Sequence, residues 1–344
     1  MNRTRFLGNI DSGINHSLLT NYSVPTRLPN VPKLQKITQQ DDLILIELGT
    51  LLSIDECDDI LRNINDINFQ KMNKQYDIRK RNNSRIVIFD DRFARTIWRR
   101  LKFSHKITKL ISNLTPLGFS VQGKWKMCGV NKAMRLNKYN KSEYFSPHKD
   151  SQYAPSGDER SLLSLIIYLN DDFENGQTKF YFPKQLPKSS IRGLTIKEEI
   201  EAYGGLEHGY ECVAIKPKKG HVVLFTHNIL HEATAPNIDD HSNNIKERVV
   251  LRTDVVVKRK EKPLGFALSS NEIDDYHACL NFFREAQQIE LKMYDNCNDT
   301  VKAIDIGELY ERSLFIPYCY PHILHLKSEQ SIINQEEEKK LIER

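Results

Sequence analysis

Six strand-length runs lie between residues 120 and 257: AMRLNKY, LLSLIIYL, TKFYF, CVAIKP, HVVLFT and RVVLRTDVVV. Segments rich in Gly, Asn, Asp and Pro separate them, at irregular spacing. Short runs divided in this way predict an antiparallel sandwich or barrel. The connections contain too little helix for repeated βαβ units. No internal repeat is visible.

The flanks read differently. Residues 1–40 are rich in Asn, Ser, Thr and Pro, have no lasting periodicity, and read as an extended or poorly ordered arm. LILIEL then has strand length. After it, Ser53 and Glu56 have the spacing of a capping box, and Leu52, Cys57, Ile60, Leu61 and Ile64 recur at helical intervals. A second helix is expected over about 91–113, through Phe93, Ile97, Trp98, Leu101, Ile107, Leu110 and Ile111. Past residue 258 the pattern turns helical again, with Ile273, Tyr276, Leu280 and Phe283 on one stripe. The charged end, SEQSIINQEEEKKLIER, reads as an exposed helix or a frayed tail.

Composition removes several function classes. No 18-residue apolar run exists to span a membrane, and the N-terminus lacks the apolar core of a secretory signal. An intracellular protein, cytoplasmic or nuclear, is expected. The six cysteines form no CxxC pair, so free thiols are favoured over disulfides or a zinc finger, and a metal site must use His and carboxylate. The net charge of +5 comes from 50 basic and 45 acidic residues, and the basic clusters are short. That argues against a nucleic-acid partner.

The segment YFSPHKDSQYAP contains His148 and Asp150, two residues apart and therefore able to project to one side of a strand. LFTHNILHEATAP supplies His227 and His231 just after the strand HVVLFT. One further His completes a two-His, one-carboxylate facial triad, which leaves positions open on an octahedral iron for a 2-oxo acid and O₂. Arg248 opens RVVLRTDVVV. There Arg248, Val250, Arg252 and Asp254 share one face, and Val249, Leu251, Thr253 and Val255 share the other. A guanidinium on that first face suits a carboxylate.

These segments, taken in order with NNSRIVIFDD and ERSLLSLIIYLNDDFENGQTKFYFP, resemble the prolyl 4-hydroxylase-like branch of the 2-oxoglutarate/Fe(II) dioxygenases over roughly residues 43–257. The resemblance implies an α+β chain: a double-stranded β-helix (jelly-roll) core with flanking N-terminal helices and a helical C-terminal appendage. The domains expected are the arm at 1–40, a dioxygenase domain at 41–258 and the appendage at 259–344. Within the dioxygenase domain, helices are expected at 41–115 and the core at 120–258. Carried over by position, the iron ligands are His148, Asp150 and His231, with His231 preferred to His227 because Leu230-His231-Glu232 matches the family pattern. Arg248 matches the basic residue that holds the distal carboxylate of 2-oxoglutarate, with Arg252 as the fallback. Tyr139 matches an aromatic lining that pocket, and Tyr168 matches a tyrosine that bonds the same carboxylate in some relatives. Two departures stand out: PNIDDHSNNIKE lengthens the interval before Arg248, and an insertion occupies about 184–211.

The implied reaction is hydroxylation of a C–H bond with release of succinate and CO₂, using Fe(II), 2-oxoglutarate, O₂ and ascorbate. A protein or peptide substrate leads. A free amino acid or other small molecule is the alternative, and a non-catalytic jelly-roll module or a site for Mn(II) or Zn(II) comes after it. The nucleobase-demethylase pattern R-x-N-x-T-x-R does not fit RVVLRTD. A homodimer through the helical regions is also expected as an option.

Overall fold

The computed structural model describes residues 14–20, 32–72, 79–101, 103, 105–116, 121, 123–153, 158–187, 194–237 and 247–261. In chain order its elements are β1 (Ile14–Asn15), β2 (Leu34–Gln40), β3 (Leu43–Thr50), α1 (Ile54–Asn63), β4 (Gln70–Lys71), β5 (Ser84–Phe89), α2 (Asp91–Leu101) and α3 (His105–Ser112). There follow β6 (Lys124–Val130), β7 (Ala133–Tyr139), β8 (Phe145–His148), β9 (Glu159–Tyr168), β10 (Glu174–Asn175), β11 (Thr178–Pro183), α4 (Ile196–Ala202) and α5 (Leu206–Gly209). The chain closes with β12 (Tyr210–Ile215), β13 (His221–Thr226), β14 (Leu230–Ala233), β15 (Pro236–Asn237) and β16 (Arg248–Glu261).

Two sheets carry the fold. The large one runs β1-β5-β7-β16-β9-β13-β3-β2, and the small one runs β12-β11-β14-β8. Pairing is nested: β7 with β16, β8 with β14, β9 with β13, and β11 with β12, all antiparallel. First meets last and the innermost strands meet each other, which is the jelly-roll arrangement.

The run LLSLIIYL is continuously apolar because β9 is covered on both faces. Leu163, Leu165 and Ile167 join Leu136, Leu224 and Leu251 against the helices, through Cys57, Ile60, Phe93 and Ile97. Ile166 and Tyr168 face the other way, toward Phe180, Phe225, Ile229 and Val250 between the sheets. β16 divides as its alternation predicts, with Val249, Leu251 and Val255 in the helix-side core.

Ser53 caps α1 with the expected box: its side chain accepts from Glu56 N, and Glu56 accepts from Ser53 N at 2.9 Å. Three expectations need correction. The helix expected over 91–113 is two helices, because the chain turns Phe103 onto Trp98 (ring centroids 6.3 Å apart) before Ile107 and Ile111 re-enter the core. Residues 41–115 are not only helical, since β3 and β5 are long strands of the large sheet. The arm boundary at 40 falls inside a β2–β3 hairpin that turns at Asp41 (φ 51°), and buried Leu18 belongs to the core. The helical appendage expected at 259–344 lies outside the described residues, apart from the end of β16.

In the insertion, α4 and α5 pack through Ile196, Tyr203 and Leu206 onto Tyr181, Tyr210 and Leu230. Those strand residues alternate with Phe180 and His231, so this packing covers the outer face of the small sheet. Among the described residues no helix is long and apolar enough to cross a membrane.

Candidate active site

His148 and His231 are cross-strand partners on β8 and β14. Their rings lie 4.2 Å apart by centroid. Asp150 follows β8 by two residues, and its backbone N donates to His227 O at 3.0 Å. His148, Asp150 and His231 each present a ligand atom, and these atoms lie within 4.8 Å of one another. This is the constellation that a facial triad requires.

Each ring is oriented from behind. His148 Nδ1 meets Ser146 O at 2.8 Å, and His231 Nδ1 meets Ile229 O at 3.0 Å. A carbonyl can only accept, so both Nδ1 atoms carry the proton and both Nε2 atoms offer a lone pair. Burial lowers the pKa of both: for His148, the nearby His231 adds to the effect, and for His231, Asp150 opposes it. Phe145 stacks on His148 at 3.4 Å, and Phe225 meets His231 edge-on at 4.7 Å.

Burial alone would raise the pKa of Asp150. The Arg252 charge, then His231 and His148, and a hydrogen bond from Ser164 instead hold it well below the usual carboxylate range. Ser164 Oγ donates to Asp150 Oδ2 at 2.6 Å, and Arg252 Nε lies 3.1 Å from the same oxygen. Having donated its only proton, Ser164 must accept from His227 Nδ1 at 2.9 Å. His227 Nε2 therefore accepts from Ser161 Oγ at 2.8 Å. Both nitrogens of His227 are committed, and burial pushes its pKa down to about 4. His227 is a neutral support behind the carboxylate, and spacing alone did not separate it from His231.

Arg248, at 1 % exposure, lies between the sheets with its Cζ 4.7 Å from the centre of the Tyr139 ring. Its Nη2 donates to Thr178 Oγ1 at 3.1 Å, and Tyr168 OH donates to the same oxygen at 3.0 Å. Among the described residues, Arg248 Nε and Nη1 are buried with no hydrogen-bond partner. Buried guanidinium donors are costly to leave unmet, so the pocket is shaped for an oxyanion. Thr178 accepts twice, which leaves its hydroxyl proton available to the same guest. Arg252, the fallback, is instead engaged by Asp150, Ser164 and Asp254.

A turn with Asn175 at φ 56° and Gly176 at φ 65° packs against the Arg248 side chain. A Cβ on Gly176 would stand 3.1 Å from Arg248 Cδ and 2.8 Å from Phe173. Glycine allows both the left-handed backbone and the close approach.

One cavity reaches His148, Asp150, His231, Thr178, Tyr139 and Arg248. Tyr168 acts from behind, through Thr178. Sequence reasoning missed Thr178, Ser164 and the cavity residues Arg81, Arg85 and Arg135. The alternation of AMRLNKY, with Arg135, Asn137 and Tyr139 on one face, was the signal for part of that set.

A jelly roll with two histidines and a carboxylate converging at one end of its strands defines a class of mononuclear metal proteins. Residues 134–252 match the family model of the 2OG-Fe(II) oxygenase superfamily. No curated protein matches the chain. Among solved structures, the viral collagen prolyl hydroxylase of Paramecium bursaria Chlorella virus-1, in its 2OG complex, is similar at 16 % identity and TM-score 0.33, covering 62 % of this chain and 96 % of that one. A Pseudomonas putida prolyl-4-hydroxylase is similar at 12 % identity and TM-score 0.38, covering 63 % and 93 %. The non-heme alpha-ketoglutarate-dependent epimerase SnoN of nogalamycin biosynthesis is similar at 15 % identity and TM-score 0.38, covering 65 % and 82 %. Likenesses this distant carry no argument about substrate. The superfamily and the triad together imply Fe(II), 2-oxoglutarate and O₂.

Proposed function

We propose that the protein is a prolyl 4-hydroxylase-like oxygenase that hydroxylates a C–H bond of a protein or peptide. The observation that carries this is the Arg248 guanidinium, whose Nε and Nη1 have no hydrogen-bond partner among the described residues, in the same cavity as His148, Asp150 and His231. Fe(II), 2-oxoglutarate and O₂, when bound, supply an oxidative decarboxylation to succinate and CO₂ coupled to hydroxylation.

The chain's own residues do the positioning. His148 and His231 offer Nε2, and Asp150 offers a carboxylate kept ionised by Arg252 and oriented by Ser164. Arg248 and Thr178 would hold the distal carboxylate of 2-oxoglutarate, with Tyr139 beside the Arg248 guanidinium and Tyr168 orienting Thr178. Phe145, Phe180 and Phe225 keep water from the histidines. Ascorbate would serve as the reductant that keeps a bound iron divalent. No protein general base is required.

The peptide reading rests on the order of motifs from MRLNKYNKSEYFSPHKD to ERVVLRTDVVV. It is tested by incubating the protein with Fe(II), 2-oxoglutarate, ascorbate and proline-containing peptides, then looking for gain of one oxygen atom by mass spectrometry. Oxygen on a prolyl residue, absent with His148→Ala, is expected. Oxygen on free amino acids alone would move the small-molecule alternative ahead.

A further inference from the structure

The cavity around the triad is far more basic than a neutral prolyl ring requires. Five arginines line it (Arg81, Arg85, Arg135, Arg248 and Arg252), and Asp150 and Glu232 are the carboxylates among its lining residues. Glu232 is held by Tyr181 OH at 2.7 Å and by Lys179 at 3.4 Å. Arg248 is assigned to 2-oxoglutarate and Arg252 is engaged by Asp150, Ser164 and Asp254, so Arg81, Arg85 and Arg135 are what the substrate meets.

Their placement is deliberate in energetic terms. Arg135 on β7 and Arg252 on β16 are direct register partners. Like charges opposite one another on paired strands destabilise a sheet. Buried Asp254 relieves them in part, lying 3.1 Å from Arg135 Nη1 and 3.2 Å from Arg252 Nη2. Asp254 is thus shared by two guanidiniums, and Arg252 also reaches Asp150 at 3.1 Å. On β5, Arg85 pairs in register with Asn137, two residues from Arg135 on the same face of β7. Burial lowers the pKa of Arg135. Asp254 opposes that change, and the charges of Arg252 and Arg85 add to it. On the near side, Arg81 Cζ lies 4.3 Å over the Phe145 ring, the ring that stacks on His148. Neutral amide oxygens orient Arg81: Asn83 Oδ1 accepts from Nε, and Asn137 Oδ1 from Nη2, each at 2.7 Å.

We infer that Arg81, Arg85 and Arg135 form a second oxyanion site in this cavity, so that the substrate carries a carboxylate or phosphate group close to the carbon that is hydroxylated. The inference rests on the oxygenase reading above and deepens it. Guanidinium groups match both oxyanions bidentately, and a cleft with low-dielectric walls concentrates their field. In a polypeptide substrate the group is an acidic or phosphorylated residue beside the target. In a small molecule it is the molecule's own acid group.

The test uses the full chain loaded with Mn(II) and saturating 2-oxoglutarate, titrated with inorganic phosphate at constant ionic strength in a calorimeter. One phosphate per chain is expected, with affinity falling at least tenfold in Arg85→Gln and in Arg81→Gln, and partly restored in Arg85→Lys. Thermal melts confirm that the variants fold, and 2-oxoglutarate affinity should stay within twofold in each. No phosphate binding to the loaded wild type, or binding indifferent to both substitutions, would overturn the second site. A failure of 2-oxoglutarate itself to bind strikes the oxygenase reading instead, and is seen in the loading step. Turnover then separates the sources: succinate formation stimulated by Pro-Asp but not Pro-Asn peptides marks a polypeptide, and stimulation by phosphorylated or dicarboxylic amino acids marks a small molecule. Equal stimulation by Asp and Asn peptides, with none by the free acids, would contradict the proposal.

Discussion

Arg248 enters the cavity at the first residue of a long strand, buried, with two of its nitrogens unmet among the described residues. Arg248→Met should raise the KM for 2-oxoglutarate roughly a hundredfold, the effect of about 3 kcal/mol lost from a desolvated charge pair. Steady-state kinetics would check this, and an unchanged KM would remove Arg248 from the pocket. Cys57 sits at 0 % exposure, and burial pushes its thiol up to about 12 against the opposing charge of Lys219. An unfolded thiol ionises at its ordinary pKa near 9.0, so above that pH the unfolded chain binds fewer protons than the native one, and stability falls as pH rises toward 12. Denaturant melts across that range should show a shallower decline in Cys57→Ala than in the wild type. At this scale the sequence was partly legible. His148 and Asp150 share a face by spacing, whereas His227 and His231 both follow β13 closely. Only the β8–β14 register, which joins distant segments, sets His231 opposite His148.

The capping box at the start of α1 does more than end a helix. Glu56 also takes both Nη groups of Arg100 from α2, at 2.8 and 2.6 Å, and Arg100 has only 4 % of its side chain exposed. Ser53→Ala should cost about 1 kcal/mol, the usual loss of an N-cap. Glu56→Ala should cost about 3 kcal/mol, since it also leaves a buried guanidinium uncompensated. Urea melts of the two variants would show the difference, and equal losses would mean the ion pair contributes nothing. The elements themselves were readable wherever one face is buried, as the β16 alternation illustrates. The break between α2 and α3 was not readable, because the apolar positions continue in helical register on both sides of it.

Over the whole molecule, the insertion braces the site from behind. Lys149, between two triad residues, bonds Glu199 of α4 at 2.6 and 2.7 Å, and both side chains are nearly fully buried. Nested pairing was legible only through family resemblance, because which strand meets which depends on segments a hundred residues apart. A site assembled from β8, β14 and β16 ties ligand binding to global stability. Mn(II) and 2-oxoglutarate at a hundred times their dissociation constants should each add about 2.7 kcal/mol, raising Tm in scanning calorimetry. A Tm unmoved by either would mean that the folded state does not bind them.

The most direct measurement is Fe(II)-dependent conversion of 2-oxoglutarate to succinate by the full chain, wild type against Asp150→Ala. A wild type that forms succinate only with iron and O₂, beside a folded Asp150→Ala that forms none, is the predicted result. Succinate formation that persists undiminished in Asp150→Ala, or its absence from an iron-loaded wild type, would contradict the assignment of His148, Asp150 and His231 as the working metal site.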